Sequence, residues 1–138
     1  MIGRDFLKKL FIIMLLTSSI LAACQSNEVA QVINRQGDFE NLQNLNPFIE
    51  NVKVGTPDRL HYISYGEEGE EITSKLVFDG NKIKSSLHVG WPTIEEYECE
   101  TAEKQEFEET ISLYLRNCSG DFEGDLELIS YPLNSDED

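Results

Sequence analysis

The sequence predicts an α+β domain: one N-terminal helix packed on an antiparallel β-sheet of about five to six strands. Three observations predict it. Apolar residues recur at three- and four-residue spacing between Phe39 and Val52, the signature of one helix face. After Pro57 the apolar period drops to two, the signature of half-buried strands. Glycine-containing turns then cut that second region into hairpin-sized pieces. Strands in series after a single helix put the helix across one face of an antiparallel sheet.

The first 23 residues stand apart. A basic start (Arg4, Lys8, Lys9) leads into an apolar run from Leu10 to Leu16 and then the small, polar Thr17, Ser18 and Ser19. That is the order of a secretory signal peptide, and the run falls short of the roughly 20 apolar residues a spanning helix needs. Leu21-Ala22-Ala23-Cys24 resembles the lipobox of bacterial lipoproteins. The resemblance implies cleavage between Ala23 and Cys24 and a diacylglyceryl group on the Cys24 thiol, so that two acyl chains hold the mature protein on the membrane where one would not.

Residues 24–37 are polar with isolated Val29, Val32 and Ile33, and read as a flexible tether spanning roughly 20 Å. The domain follows over residues 38–132. Leu42, Leu45, Phe48, Ile49 and Val52 give the helix its apolar face, which predicts a helix from about Asn44 to Val54. Pro47 falls in its first turn, where a missing N–H costs nothing. Asn44 or Asn46 is available as cap, and Gly55 followed by Pro57 stops it. Leu60 to Tyr65 and Ile72 to Phe78 alternate around the loop Gly66-Glu67-Glu68-Gly69, and Asp79-Gly80-Asn81 turns the chain into a strand from Lys82 to Val89. A last strand, Leu126 to Tyr131, follows the Ser119-Gly120 turn, and residues 133–138 read as a disordered acidic tail.

Cysteine usage supports the export reading. With Cys24 taken by lipid, Cys99 and Cys118 remain, an even pair in a chain bound for an oxidising compartment. Counting inward equally from both meets between Glu108 and Glu109, which sets the two cysteines opposite each other in a hairpin turning near Phe107 to Thr110. The glutamate-rich stretch from Ile94 to Glu103 therefore reads as strand rather than helix, with Ile111, Leu113 and Leu115 as the apolar row of the return strand.

Charge narrows the choice of partners. The whole chain carries 11 basic and 26 acidic residues, a net charge of −15, and cleavage after Ala23 would leave 8 against 25, or −17. Such a field repels nucleic acid and anionic head groups and attracts cations or basic partners, which excludes nucleic-acid binding.

Several blocks resemble a family of small bacterial lipoproteins known as domain of unknown function 4362. They are Gly37-Asp38, Phe48 to Val52 with Gly55 and Asp58, Tyr65 with Glu68-Gly69 and Ile72, Phe78-Asp79-Gly80 with Lys82-Ile83-Lys84, and Cys99 with Cys118-Ser119-Gly120. Glu70-Glu71 replaces that family's acidic-proline pair, and the segment from Val89 to Cys99 is short. The resemblance implies the anchor, the fold and the disulfide, and no reaction.

Candidate sites are few. Glu67, Glu68, Glu70 and Glu71 crowd one hairpin tip, where carboxylates could gather the oxygen ligands that calcium takes. Asp121, Glu123, Asp125 and Glu127 alternate with Phe122, Leu126 and Leu128, the pattern of an amphipathic strand with its wet side out. His61 and His88 are the only histidines. Either could act as general base for a serine such as Ser64 or Ser86, though no nucleophile-elbow glycines surround them. Trp91, Tyr97 and Tyr114 are candidates for an aromatic contact patch. The expectation is a non-enzymatic, lipid-anchored binding module on the outer face of a bacterial plasma membrane. It would need no cofactor and would engage a protein or envelope partner, with cation binding at the acidic turns as the alternative.

Overall fold

A computed structural model describes residues 3–9 and 27–135; residues 4–9 are helical. The strands are β1 (Ala30–Arg35), β2 (Asp38–Glu40), β3 (Asp58–Tyr65), β4 (Glu71–Phe78), β5 (Ile83–Val89), β6 (Thr93–Cys99), β7 (Thr101–Glu106), β8 (Thr110–Gly120) and β9 (Gly124–Pro132). A 3-10 turn (Leu42–Asn44) leads into the helix α1 (Leu45–Val54) between β2 and β3. The strand order is β2-β1-β3-β4-β5-β6-β8-β7, with β9 also on β8. Over the described residues 27–135 the fold is therefore mostly β, nine strands curled into a half-barrel with one short α-helix. This corrects the expected helix on a sheet of five to six strands.

The difference has two sources. Residues 30–35, expected as tether, form β1, which pairs in parallel with β3 from Ala30 opposite Leu60 to Asn34 opposite Ser64. The turn at Gln36 and Gly37, both at positive φ, folds β2 back on β1, and the Asn34 side chain accepts the Gly37 N–H at 2.8 Å. Val32 alone of this strand is fully buried, so no alternation advertises it. The second source is the long glutamate-rich strand, which breaks at Glu100 into β6 and β7. Pairing with β8 nevertheless keeps one register through the break, from Glu98 opposite Ser119 to Thr101 opposite Arg116. Those two pairs bracket Cys99 and Cys118, which form the disulfide.

The helix ends where residue chemistry says it should. Gly55 takes φ 77° and returns its N–H to the Asn51 carbonyl, as a left-handed C-terminal residue does. Asn44 precedes α1 without a side-chain cap, and donates instead to the Gln31 carbonyl at 2.9 Å, tying the helix to β1. Leu45, Phe48, Ile49 and Val52 face inward and join Leu60, Leu76, Phe78, Ile83, Leu113, Leu115 and Tyr131 in one core. Phe39 of β2 packs on Tyr131 of β9 with ring centroids 6.1 Å apart, joining the two ends of the curl.

Cys24 and Ala23 lie outside the described residues, as do residues 136–138 of the expected acidic tail. Among the described residues no helix is long and apolar enough to cross a membrane.

Candidate functional site

Alternation along a strand sends every second side chain to one face, and the register fixes which side chains then stand together. On the side away from the core, β3 contributes Arg59, His61 and Ile63, β4 contributes Thr73, Lys75 and Val77, and β5 contributes Lys84, Ser86 and His88. His61 pairs with Lys75, Lys75 with Ser86, and Thr73 with His88. Both histidines of the chain thus flank one lysine on three adjacent strands.

Two shallow clefts adjoin on this face, and Lys75 lines both. One, of about 520 Å³, runs between Gln31, His61, Ile63, Thr73, His88 and Trp91. The other, of about 640 Å³, extends over Val77, Lys84, Ser86, Glu96 and Glu98. Trp91 sits at the β5–β6 turn with 98% of its surface exposed, and an indole left in water is unusual for so large an apolar group.

The electrostatics of the face run against those of the chain. Among the described residues Arg59 and Lys75 have no carboxylate within ion-pair distance, and Lys84 reaches Glu98 only at 3.9 Å with both side chains exposed. Glu71 is the one acidic residue in the smaller cleft; it accepts hydrogen bonds from Thr73 at 3.2 Å and Tyr65 at 3.5 Å. Burial pushes the His61 pKa below 6.5, and Lys75, Arg59 and His88 push it further in the same direction. Every charge acting on that imidazole is positive.

His88 also meets Ser86, with Oγ 2.9 Å from Nε2, while Thr93 Oγ1 lies 3.4 Å from Nδ1. Ser64 points to the opposite side of β3 from His61. A serine–histidine contact thus exists, and among the described residues the imidazole's hydrogen-bond partners are hydroxyls, Ser86 and Thr93. Ser86 lies on β5, which is paired on both sides, with a register shift in the β5–β6 ladder between Leu87 and His88.

The other sequence-predicted groups disperse. Glu70 folds back on its own loop, accepting the Glu68 N–H at 3.1 Å, while Glu71 belongs to the strand face. Among the described residues no three His, Cys, Asp or Glu side chains group to hold a metal, so the four glutamates do not form a cage. Asp121 bridges the β6–β8 junction, accepting the Glu96 N–H at 2.9 Å and donating its own N–H to the Glu96 carbonyl at 3.0 Å. Asp125 and Glu127 lie on β9 beside Arg116 and Tyr114, so the expected row of four carboxylates is split. Tyr97 is buried against Phe122, with ring centroids 6.1 Å apart, and Tyr114 lies under Arg116; neither joins Trp91 in a patch. The cluster around Lys75 could have been found from sequence by laying the outward rows of β3, β4 and β5 side by side in the registers their two turns impose.

The family model described as "Domain of unknown function (DUF4362)" matches residues 29–114. The chain belongs to that family. The match begins just before β1 and ends inside β8, so it takes in all of β3–β5 and Trp91. No curated protein and no solved structure matches the chain.

Proposed function

We propose that this DUF4362 chain is a lipid-anchored, non-enzymatic binding module of the bacterial cell envelope, and that its binding surface is the outer face of β3, β4 and β5. One observation carries the reading. In a chain of net charge −15, that face gathers Arg59, Lys75, Lys84 and both histidines beside a tryptophan that is 98% exposed. Concave sites that bind ligands combine an apolar contact with a few convergent polar groups, and aromatic residues at such points carry a disproportionate share of binding energy. Anchoring rests on the signal-like residues 1–23 and on Cys24. Five residues, 25–29, separate that cysteine from β1, a reach of at most about 22 Å at full extension, so the domain would work close to the bilayer.

Capture of bound material from intact cells tests it. Wild-type chain and Glu127→Ala on β9 should recover the same partner, Trp91→Ala should recover at least tenfold less, and Cys24→Ser should recover none from the membrane fraction. Equal recovery by the Trp91→Ala protein would contradict the assignment of the surface. Mass spectrometry of the mature protein should find Cys24 acylated at its N-terminus; an intact leader would contradict the anchor.

A further inference from the structure

Resting on that assignment of the binding face, we infer that the cleft around Lys75 is a phosphate-binding site, the point at which a phosphate-bearing ligand is held. Lys75 is an ammonium with no carboxylate partner among the described residues. On its two neighbouring strands stand His61 and Ser86, and His88 lies one row along, bonded to Ser86 at 2.9 Å. Lys75, His61 and Ser86 stand as donors on three adjacent strands, a spread that the three or four acceptor oxygens of a phosphate suit. Trp91 walls the same cleft and offers an apolar plane to the remainder of the ligand.

The electrostatic case is independent of the shape. A cluster of like charges is costly unless something of opposite sign joins it, and here the neighbouring charges all oppose protonation of His61. The groups facing that imidazole are Arg59 on its own strand, Lys75 on β4 and His88 on β5. Glu71, at the end of the cleft, is engaged by Thr73 and Tyr65. An anion seated among them would oppose that shift, raise the His61 pKa and bind more tightly as that imidazole protonates. A global field of −15 works against anions at long range. The interaction is therefore short-ranged, and added salt hides the repulsive background more than the contact itself.

Two sources present the same chemistry, a soluble phosphate ester and a phospholipid head group, and the test separates them. Among the described residues every core residue falls between Val32 and Tyr131, so the chain from residue 24 with Cys24→Ser keeps that core whole. Titrating inorganic phosphate into ¹⁵N-labelled protein, against chloride at equal ionic strength, should move the amide signals of His61, Lys75, Ser86 and His88 saturably. On going from pH 7.5 to pH 5.5 the wild-type affinity should gain about threefold to tenfold relative to that of His61→Asn, the gain expected if the anion raises the His61 pKa by half to one unit, with the titration of phosphate itself common to both proteins. Lys75→Gln, an exposed change, should abolish the response while leaving the melting temperature unchanged. Co-sedimentation with phosphatidylcholine vesicles, with and without phosphatidylglycerol, assigns the source. Lys75-dependent binding to the anionic vesicles alone identifies the head group, and phosphate binding without vesicle binding identifies a soluble ester. No saturable phosphate shift, or one that Lys75→Gln leaves intact, overturns the inference. Loss of partner capture by Trp91→Ala would still stand in that case, which keeps the two readings separable.

Discussion

On the outer face of β7, β8 and β9, Arg116 donates to Glu103 at 2.7 Å, Asp125 at 3.1 Å and Gln105 at 3.2 Å, and stacks 4.4 Å over Tyr114. Tyr114 in turn donates to Glu127 at 3.0 Å. On the outer face of β3, β4 and β5, Arg59 and Lys75 have no carboxylate within ion-pair distance among the described residues. The same curled sheet thus presents one face whose cation is enclosed by acceptors and another whose Lys75 lines an open cleft. A satisfied network spends its hydrogen-bonding capacity internally, which suits it to holding strands together. Unpartnered cations beside an exposed indole contribute little to the fold and are available to a ligand.

That contrast predicts a graded series of effects. The largest belongs to the seam joining the two regions, where Cys99 of β6 is bonded to Cys118 of β8 across a separation of 19 residues. Replacing both cysteines by alanine should cost about 3 kcal/mol, the loop-closure value for a ring of this size, read as a lower urea midpoint. Retained stability would mean that β6–β8 pairing holds the seam without the bridge. Next is Gly120, at φ 120° with a would-be Cβ only 2.8 Å from the Glu96 carbonyl. Gly120→Ala should cost about 1–3 kcal/mol, the range for a side chain forced into a backbone conformation it rarely adopts, and calorimetry would show it as a lower melting temperature.

Smaller effects follow on the networked face. Arg116→Met should lower stability by an amount that shrinks with added salt, since exposed ion pairs are screened. Asp125 is held below the usual carboxylate range first by the Asn117 N–H and then by Arg116. Its contribution is present above the ordinary carboxylate pKa and disappears as pH falls through the depressed value. On the open face the direction is the same and the window lies higher in pH. His61 protonates less readily folded than unfolded, so its contribution is complete above about pH 6.5, the unfolded value, and declines as the solution is acidified below that. Stability curves of His61→Asn should be flatter across this window. Smallest of all, Lys75→Gln should leave the urea midpoint where it is; a clear loss would mean that the lysine holds the fold rather than a ligand.

Much of the architecture was readable because local rules govern it. Leu45, Phe48, Ile49 and Val52 mark the helix, Gly66 to Gly69 and Asp79-Gly80 mark two hairpins, and equal counting from the cysteines finds the turn at Phe107 to Thr110. What was not readable is non-local. The pairing of β1 with β3 joins segments on either side of the helix, and β1 brings only Val32 fully into the core, so a mostly polar strand reads as a tether. The cleft escaped notice for a related reason. Arg59 and His61, Lys75, and Lys84 with His88 each look like the ordinary solvent side of one strand. They become a site only when three registers are superimposed.

The most direct measurement places a photo-reactive side chain at Val77, on the open face, and separately at Glu127, on the networked one, in otherwise native chains on intact cells. The account predicts a discrete crosslinked product from position 77 and none from position 127. Crosslinks of equal yield from both positions, or from 127 alone, would contradict it.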